Sequence, residues 1–332
     1  MIPVLLKNRY FLYFIILGCS FLTSCSSSPK INSVMNSPIK TKPELNETNY
    51  TTPDHEEFGY KKWLPKEKEP EIVIVGVHGI SGHASDFTNL AKHFIEEHNN
   101  IALYAPELRG QGHDPKLNRQ GDIPSHRQWQ QDLYTFTKLL RELHPEAKIL
   151  WFGESMGSMI ITHAYADIAP GQTKPDGLVI LSPILDITAR VATWKKNLVK
   201  AAGFLLPKLR LSLENLSNGE KVIVTKQDIH EQQTAKNPWH IQRYTLRLII
   251  TLGEMSDKML TKASKVDAPL LIVHSGNDLF TKEHSVTAFC SALPAEVDHT
   301  RHFHKDSYHL LMYDHKRSEI FRDISKWLER FK

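Results

Sequence analysis

Residues Gly153-Glu154-Ser155-Met156-Gly157 stand between an apolar strand-like run, Lys148-Ile149-Leu150-Trp151-Phe152, and a helix-like run, Ser158-Met159-Ile160-Ile161-Thr162-His163-Ala164. A strand, a G-x-S-x-G turn and a helix in that order constrain the fold more than any other feature of the chain, because the turn must be sharp and strained. The central serine is forced into a backbone conformation that side-chain-bearing residues rarely adopt. A side chain at either flanking glycine would collide with a neighbouring strand or helix. Ser155 is therefore the candidate nucleophile.

A serine hydroxyl attacks poorly at neutral pH, so the reading requires a histidine base, an acid to orient it, and donors for a developing oxyanion. After a turn of this kind the partners follow in the order Ser, Asp, His. The apolar run Pro269-Leu270-Leu271-Ile272-Val273-His274 ends in Ser275-Gly276-Asn277-Asp278, which puts Asp278 on the loop leaving the carboxyl end of a strand. The bland alternative is a turn aspartate after Gly276, and Asp306 is the rival acid. A last strand-like stretch, Ala295 to Phe303, precedes a loop carrying His309, with Leu310-Leu311-Met312 opening a helix behind it. His309 is the preferred base. Its rivals are less well placed: His302 and His304 alternate along the strand, and His315 falls in the final helix. The 18 histidines contain no HExxH or other metal-ligand spacing, so no metal and no cofactor are expected.

Upstream, Ile72-Val73-Ile74-Val75-Gly76-Val77 runs into His78-Gly79-Ile80-Ser81-Gly82. A loop after this strand is where a second oxyanion donor should arise, so the expected pair is the backbone N–H of Ile80 and of Met156. Main-chain donors leave both side chains free to be apolar. Alternatively, Gly79 and Gly82 simply make a turn before the helix starting near Ser85-Asp86.

The coarse pattern predicts a doubly wound, mostly parallel α/β sheet. Apolar runs at 72–77, 101–105, 148–152, 178–181 and 270–273 lack clean alternation, as expected of strands covered on both faces. Between them Trp129, Leu133, Phe136 and Leu140 recur at helical spacing. After Leu181 the rhythm is interrupted until Leu270, leaving Asp186 to Lys262 as an inserted helical cap. One face of a cap helix carries Trp194, Leu198, Ala201 and Leu205, and another carries Lys196, Lys200 and Gly203. The apolar face either packs on the core or lines an acyl-chain tunnel and touches lipid; the two are compatible. The insertion holds 13 basic residues against 7 acidic ones, an excess of six that either attracts anionic lipid or forms a solvated basic face. Over the whole chain the net charge of +4 is unremarkable, and no nucleic-acid partner is expected.

At the amino terminus Lys7 and Arg9 precede an apolar stretch from Tyr10 to Leu22, too short for a membrane span and right for a signal peptide. Leu22-Thr23-Ser24-Cys25 resembles a bacterial lipoprotein processing site, which implies lipidation of Cys25; Ile16-Leu17-Gly18-Cys19 is the weaker second site. Residues 1–24 are then the signal peptide and 25–53, rich in Ser, Asn, Thr and Lys, a disordered tether reaching about 30 Å. With Cys19 removed and Cys25 acylated, only Cys290 is left and no disulfide can form. The expected location is the bacterial cell envelope, lipid-anchored at the outer membrane, with which Ser26 rather than Asp after Cys25 is compatible.

Residues 54–332 resemble the monoacylglycerol lipase and lysophospholipase branch of the α/β-hydrolases. The resemblance rests on Tyr60-Lys61-Lys62-Trp63-Leu64-Pro65, on His78-Gly79, on Arg109-Gly110-Gln111-Gly112, on the Ser-Met-Gly of the 153–157 turn, and on Asp278 and His309. Glu107 stands for the usual Asp, Gln111 for the usual His and Ser158 for a usual Gly, and Glu154 occupies a position often held by His. The resemblance implies a serine hydrolase acting on carboxylic esters of lipid-derived substrates, such as monoacylglycerols or lysophospholipids, through an acyl-enzyme. The same groups would serve acyl transfer or peptide hydrolysis by a serine aminopeptidase. A non-catalytic, surface-anchored binding module is the alternative of a different class.

Overall fold

The computed structural model describes residues 42–185, 187–188, 191–212, 223–225, 237 and 239–332. The expected signal peptide, both anchor cysteines (Cys19 and Cys25) and most of the tether lie outside the described residues. Eight strands form one sheet: β1 (Asn49–Thr51), β2 (Glu57–Trp63), β3 (Ile72–Val77), β4 (Ile101–Pro106), β5 (Lys148–Glu154), β6 (Gly177–Leu181), β9 (Leu270–Ser275) and β10 (His299–His304). Their spatial order is β1-β2-β4-β3-β5-β6-β9-β10. From β4 to β10 every neighbour is parallel, whereas β2 runs antiparallel to β4 and β1 antiparallel to β2.

Strand side chains divide with period two between two apolar layers. Val73, Val75, Ile149 and Trp151 point into one, against Trp129, Leu133, Phe136 and Leu140 of α2 (His126–Leu143) and Met159 and Ile160 of α3 (Met156–Ala166). Ile72, Ile74, Leu150 and Phe152 point into the other, against Leu90 and Phe94 of α1 (Thr88–Glu97) and Ile320, Ile324 and Trp327 of the carboxyl-terminal helix (Arg317–Leu328). Each buried large side chain contributes about 1.5–3 kcal/mol, so both layers are needed to fix the parallel strands. His315 lies just outside that last helix rather than within it.

The fold also reaches further upstream than composition suggests. Tyr50 is buried in β1 and packs its ring 4.7 Å from that of Phe136. Residues 49–51, read from their polar character as tether, thus belong to the sheet edge, because one aromatic anchor outweighs several polar neighbours.

Between β6 and β9 lies the inserted segment. It contains α4 (Thr193–Leu205), a two-stranded hairpin of β7 (Arg210–Ser212) and β8 (Arg243–Thr245), and α5 (Leu246–Asp257), followed by a short helix α6 (Met259–Ala263). Val199, Ala202 and Leu246 give it a small core of its own, and Ile250 packs against that core. The face of α4 that packs is Val199, Ala202 and Gly203, with Gly203 admitting Ile250. Trp194, Ala201 and Leu205 are exposed and Leu198 half-buried, so the apolar stripe read from the sequence faces outward and does not pack on the core. Lys196 and Lys200 pair with Asp257 and Glu254 of α5 at 3.2 and 2.8 Å, so these two lysines are paired within the segment and its net excess of six rests on other basic residues.

Candidate active site

The turn after β5 has the geometry its sequence requires. Ser155 adopts φ 55° and ψ −116° at the N-terminus of α3. A Cβ on Gly153 would lie 2.5 Å from the carbonyl oxygen of Gly157, and one on Gly157 would strike the carbonyl oxygen of Val77 at the end of β3. The strain is held by the sheet itself, since the Ser155 N–H donates to Leu181 O at 3.0 Å.

The loops leaving β9 and β10 bring Asp278 and His309 to the same point. His309 Nε2 is 2.8 Å from Ser155 Oγ, and His309 Nδ1 is 2.8 Å from Asp278 Oδ2. All three side chains are buried. Asp278 Oδ1 accepts from the backbone N–H of Phe280 at 2.7 Å and of Thr281 at 3.3 Å, which aims the other oxygen at the imidazole. The Phe280 ring stands edge-on to His309, 4.7 Å between centroids. The rivals lie elsewhere. Asp306 pairs with Lys316 at the surface, His302 and His304 face Asp323, and His315 faces Asp314.

Several supporting groups carry no sequence signal of their own. Ser182 Oγ donates to the His309 carbonyl, and Thr281 Oγ1 to that of Pro183. Asp314, fully buried, accepts from Ser307 Oγ and from the Tyr308 N–H, both at 3.0 Å, bracing the loop on which His309 sits. The N–H of Leu310 donates to Val224 O of the inserted segment at 2.9 Å. Only the neighbourhood of His309 could have suggested any of these.

The loop after β3 presses on the serine from the other side. A Cβ on Gly79 would lie 3.3 Å from Ser155 Cβ, and Gly82 N–H donates to Gly79 O at 3.1 Å, closing a turn around Ile80 and Ser81. Ile80 thus follows directly on the residue pressed against Ser155, and Met156 is the first residue of α3, where helical N–H groups lack intrahelical acceptors and the dipole favours negative charge. His78 is fully buried, with Nδ1 2.9 Å from Gly79 O, and burial holds its ring below the usual histidine range. Glu154 is buried, near Asp86 and the backbone of Met312. Burial first, then the charge of Asp86, push its carboxyl up to about 8.

Residues 68–316 match the family described as serine aminopeptidase, S33, of the Hydrolase_4 group. An uncharacterised abhydrolase domain-containing protein of Dictyostelium discoideum is 22% identical over 282 residues, 85% of this chain and 29% of that protein. The chain thus spans less than a third of the length of that relative. Among solved structures, the fold is similar to a monoacylglycerol lipase of Paleococcus ferrophilus (TM-score 0.67, 21% identity, 83% of this chain and 100% of that one). It is also similar to a thermostable carboxyl esterase of Bacillus coagulans crystallised with glycerol (TM-score 0.73, 17% identity, 86% and 98%). At such identities the likeness speaks for the fold.

Proposed function

The chain belongs to the S33 family of α/β-hydrolases, and from that premise we propose that it is a serine ester hydrolase acting on lipid-derived substrates, with monoacylglycerol or lysophospholipid as the substrate class. The observation that carries the reading is His309, whose two ring nitrogens each lie 2.8 Å from an oxygen, Ser155 Oγ on one side and Asp278 Oδ2 on the other.

In the proposed cycle Ser155 Oγ attacks the ester carbonyl while His309 Nε2 takes its proton, and Asp278 holds the imidazole in the right tautomer and faces the imidazolium. The N–H groups of Ile80 and Met156 receive the oxyanion. His309 then returns the proton to the departing alcohol, leaving an acyl-enzyme. Water, deprotonated by His309, attacks that ester and releases the fatty acid, regenerating Ser155. The exposed apolar residues of α4, Trp194, Phe204 and Leu205 among them, support a lipid rather than a small polar ester. The family's description favours a second reading, release of amino-terminal residues from peptides, which uses the same groups on an amide.

A fluorophosphonate probe followed by a panel of long-chain monoacylglycerol, lysophospholipid, short-chain ester and aminoacyl arylamide tests both. Wild type should label and Ser155→Ala should not, with turnover down about a millionfold. Labelling of neither protein would favour a binding module, and arylamide turnover exceeding ester turnover would favour the aminopeptidase. We further propose that the enzyme is held at the cell envelope through a lipid on Cys25.

A further inference from the structure

Ser81 is one of four residues other than glycine with positive φ among the described residues, at 60°. Such a conformation is unfavourable for a serine and persists only where its surroundings hold it. Two groups do so. The Ser81 N–H donates to Gln111 Oε1 at 2.9 Å, and Ser81 Oγ is bonded to the hydroxyl of Tyr244. Both hydroxyls also reach one acceptor, Tyr244 OH donating to Ile241 O at 3.0 Å and Ser81 Oγ to the same oxygen at 3.3 Å, so Ser81, Tyr244 and the Ile241 carbonyl form one hydrogen-bonded cluster. Gln111 and Tyr244 are both buried.

These two clamping residues come from different parts of the chain that are fastened to each other. Gln111 sits in the loop after β4. Tyr244 sits in β8 of the inserted hairpin, whose next residue, Thr245, donates from N–H to Gly121 O at 2.8 Å and from Oγ1 to Asp122 Oδ1 at 2.7 Å. The same Asp122 is paired with Arg247. The hairpin and the 109–122 loop thus form one rigid support that converges on Ser81, the residue directly after Ile80.

We propose that Tyr244 is a positioning residue for the oxyanion donor: through Ser81 it fixes the turn from Gly79 to Gly82 and so aims the Ile80 N–H, making the inserted hairpin part of the machinery for the chemical step rather than only a cover over the substrate. The proposal rests on the reading of Ile80 as a donor. A misaimed donor weakens the tetrahedral state but leaves binding of the planar ester largely intact. The expected signature is therefore a fall in kcat with KM little changed, on long and short esters alike.

The test uses the whole chain. Tyr244→Phe keeps the ring and removes the hydroxyl. Ser81→Gly removes the other hydroxyl while tolerating positive φ, so neither variant strains the fold. Each should lower kcat on p-nitrophenyl acetate about ten- to hundredfold, somewhat below the loss of a whole oxyanion donor. Each should weaken a long-chain boronate, a mimic of the tetrahedral state, by a similar factor. The double variant should be no worse than Ser81→Gly alone, because the Tyr244 hydroxyl acts on the turn only through Ser81. Labelling that requires Ser155 but proceeds at the wild-type rate in Tyr244→Phe would overturn the clamp alone, as would a raised KM confined to long-chain substrate. A wild type that fails to label would overturn the clamp together with the reading of the site.

Discussion

Ser155 holds φ 55° because the residues on either side are glycines pressed against backbone, and the strain is local enough to be written in five letters. Its neighbour Glu154 is of a different kind. Nothing in the sequence says that its carboxyl is buried, that Oε1 finds no partner among the described residues, or that it sits near Asp86. With its folded value raised to about 8, well above an unfolded carboxyl, Glu154 keeps its proton in the native state. The stability this contributes is complete below the unfolded value and is lost as pH rises through about 8. Glu154→Gln, which cannot ionise, should therefore gain on wild type progressively across that window, at most by roughly 1.4 kcal/mol per pH unit, and hold a constant advantage above it. Thermal melts of the two proteins from pH 4 to 9 measure this. A difference independent of pH would mean that the carboxyl is already ionised in the fold.

At the scale of elements, α4 separates its packing face from its apolar face. Val199, Ala202 and Gly203 seat it on α5, while Phe204 is 87% exposed and Leu205 64%. Side chains so exposed contribute little to the fold, so Phe204→Asp and Leu205→Asp should shift stability by no more than about 0.5 kcal/mol. On the lipid-ester reading they should nevertheless depress hydrolysis of long-chain monoacylglycerol in vesicles and spare a soluble short-chain ester. Equal losses on both substrates would remove α4 from any contact with lipid. Lys196 and Lys200 make poor probes of that contact, since reversing either sets a second acid against Asp257 or Glu254 and loosens the α4–α5 packing.

At the scale of the whole molecule, the proposed attachment sets where the sheet can work. The sheet begins at Asn49, and among the described residues no helix is long and apolar enough to cross a membrane. If Cys25 carries a lipid, about two dozen residues separate it from β1, enough for the catalytic face to roam roughly 25–30 Å from a surface when that segment is extended only as a flexible coil. Metabolic labelling with a fatty-acid analogue should mark the wild type, spare Cys25→Ser and persist in Cys19→Ser. Label retained in the first variant and lost in the second would move the anchor to Cys19.

The sequence by itself determined the alternation of strands and helices, the sharp turn at Ser155, and the selection of Asp278 and His309, because each is a local pattern: a run of apolar residues, a pair of glycines, or an acid or base just beyond a strand. It also names Ile80 and Met156 as the expected oxyanion donors, from their places after a strand and after the serine. Only the tertiary structure decided which face of α4 packs, since the answer depends on Ile250 meeting Gly203 rather than on the helix's own periodicity. It also decided that Tyr50 belongs to the sheet, that Glu154 is buried, and that Asp314, Ser182 and Tyr244 brace the loops around Ser155. Those contacts join residues as many as 163 positions apart. A hydrogen bond over that separation leaves no period in the chain; it exists only once the strands have been placed side by side.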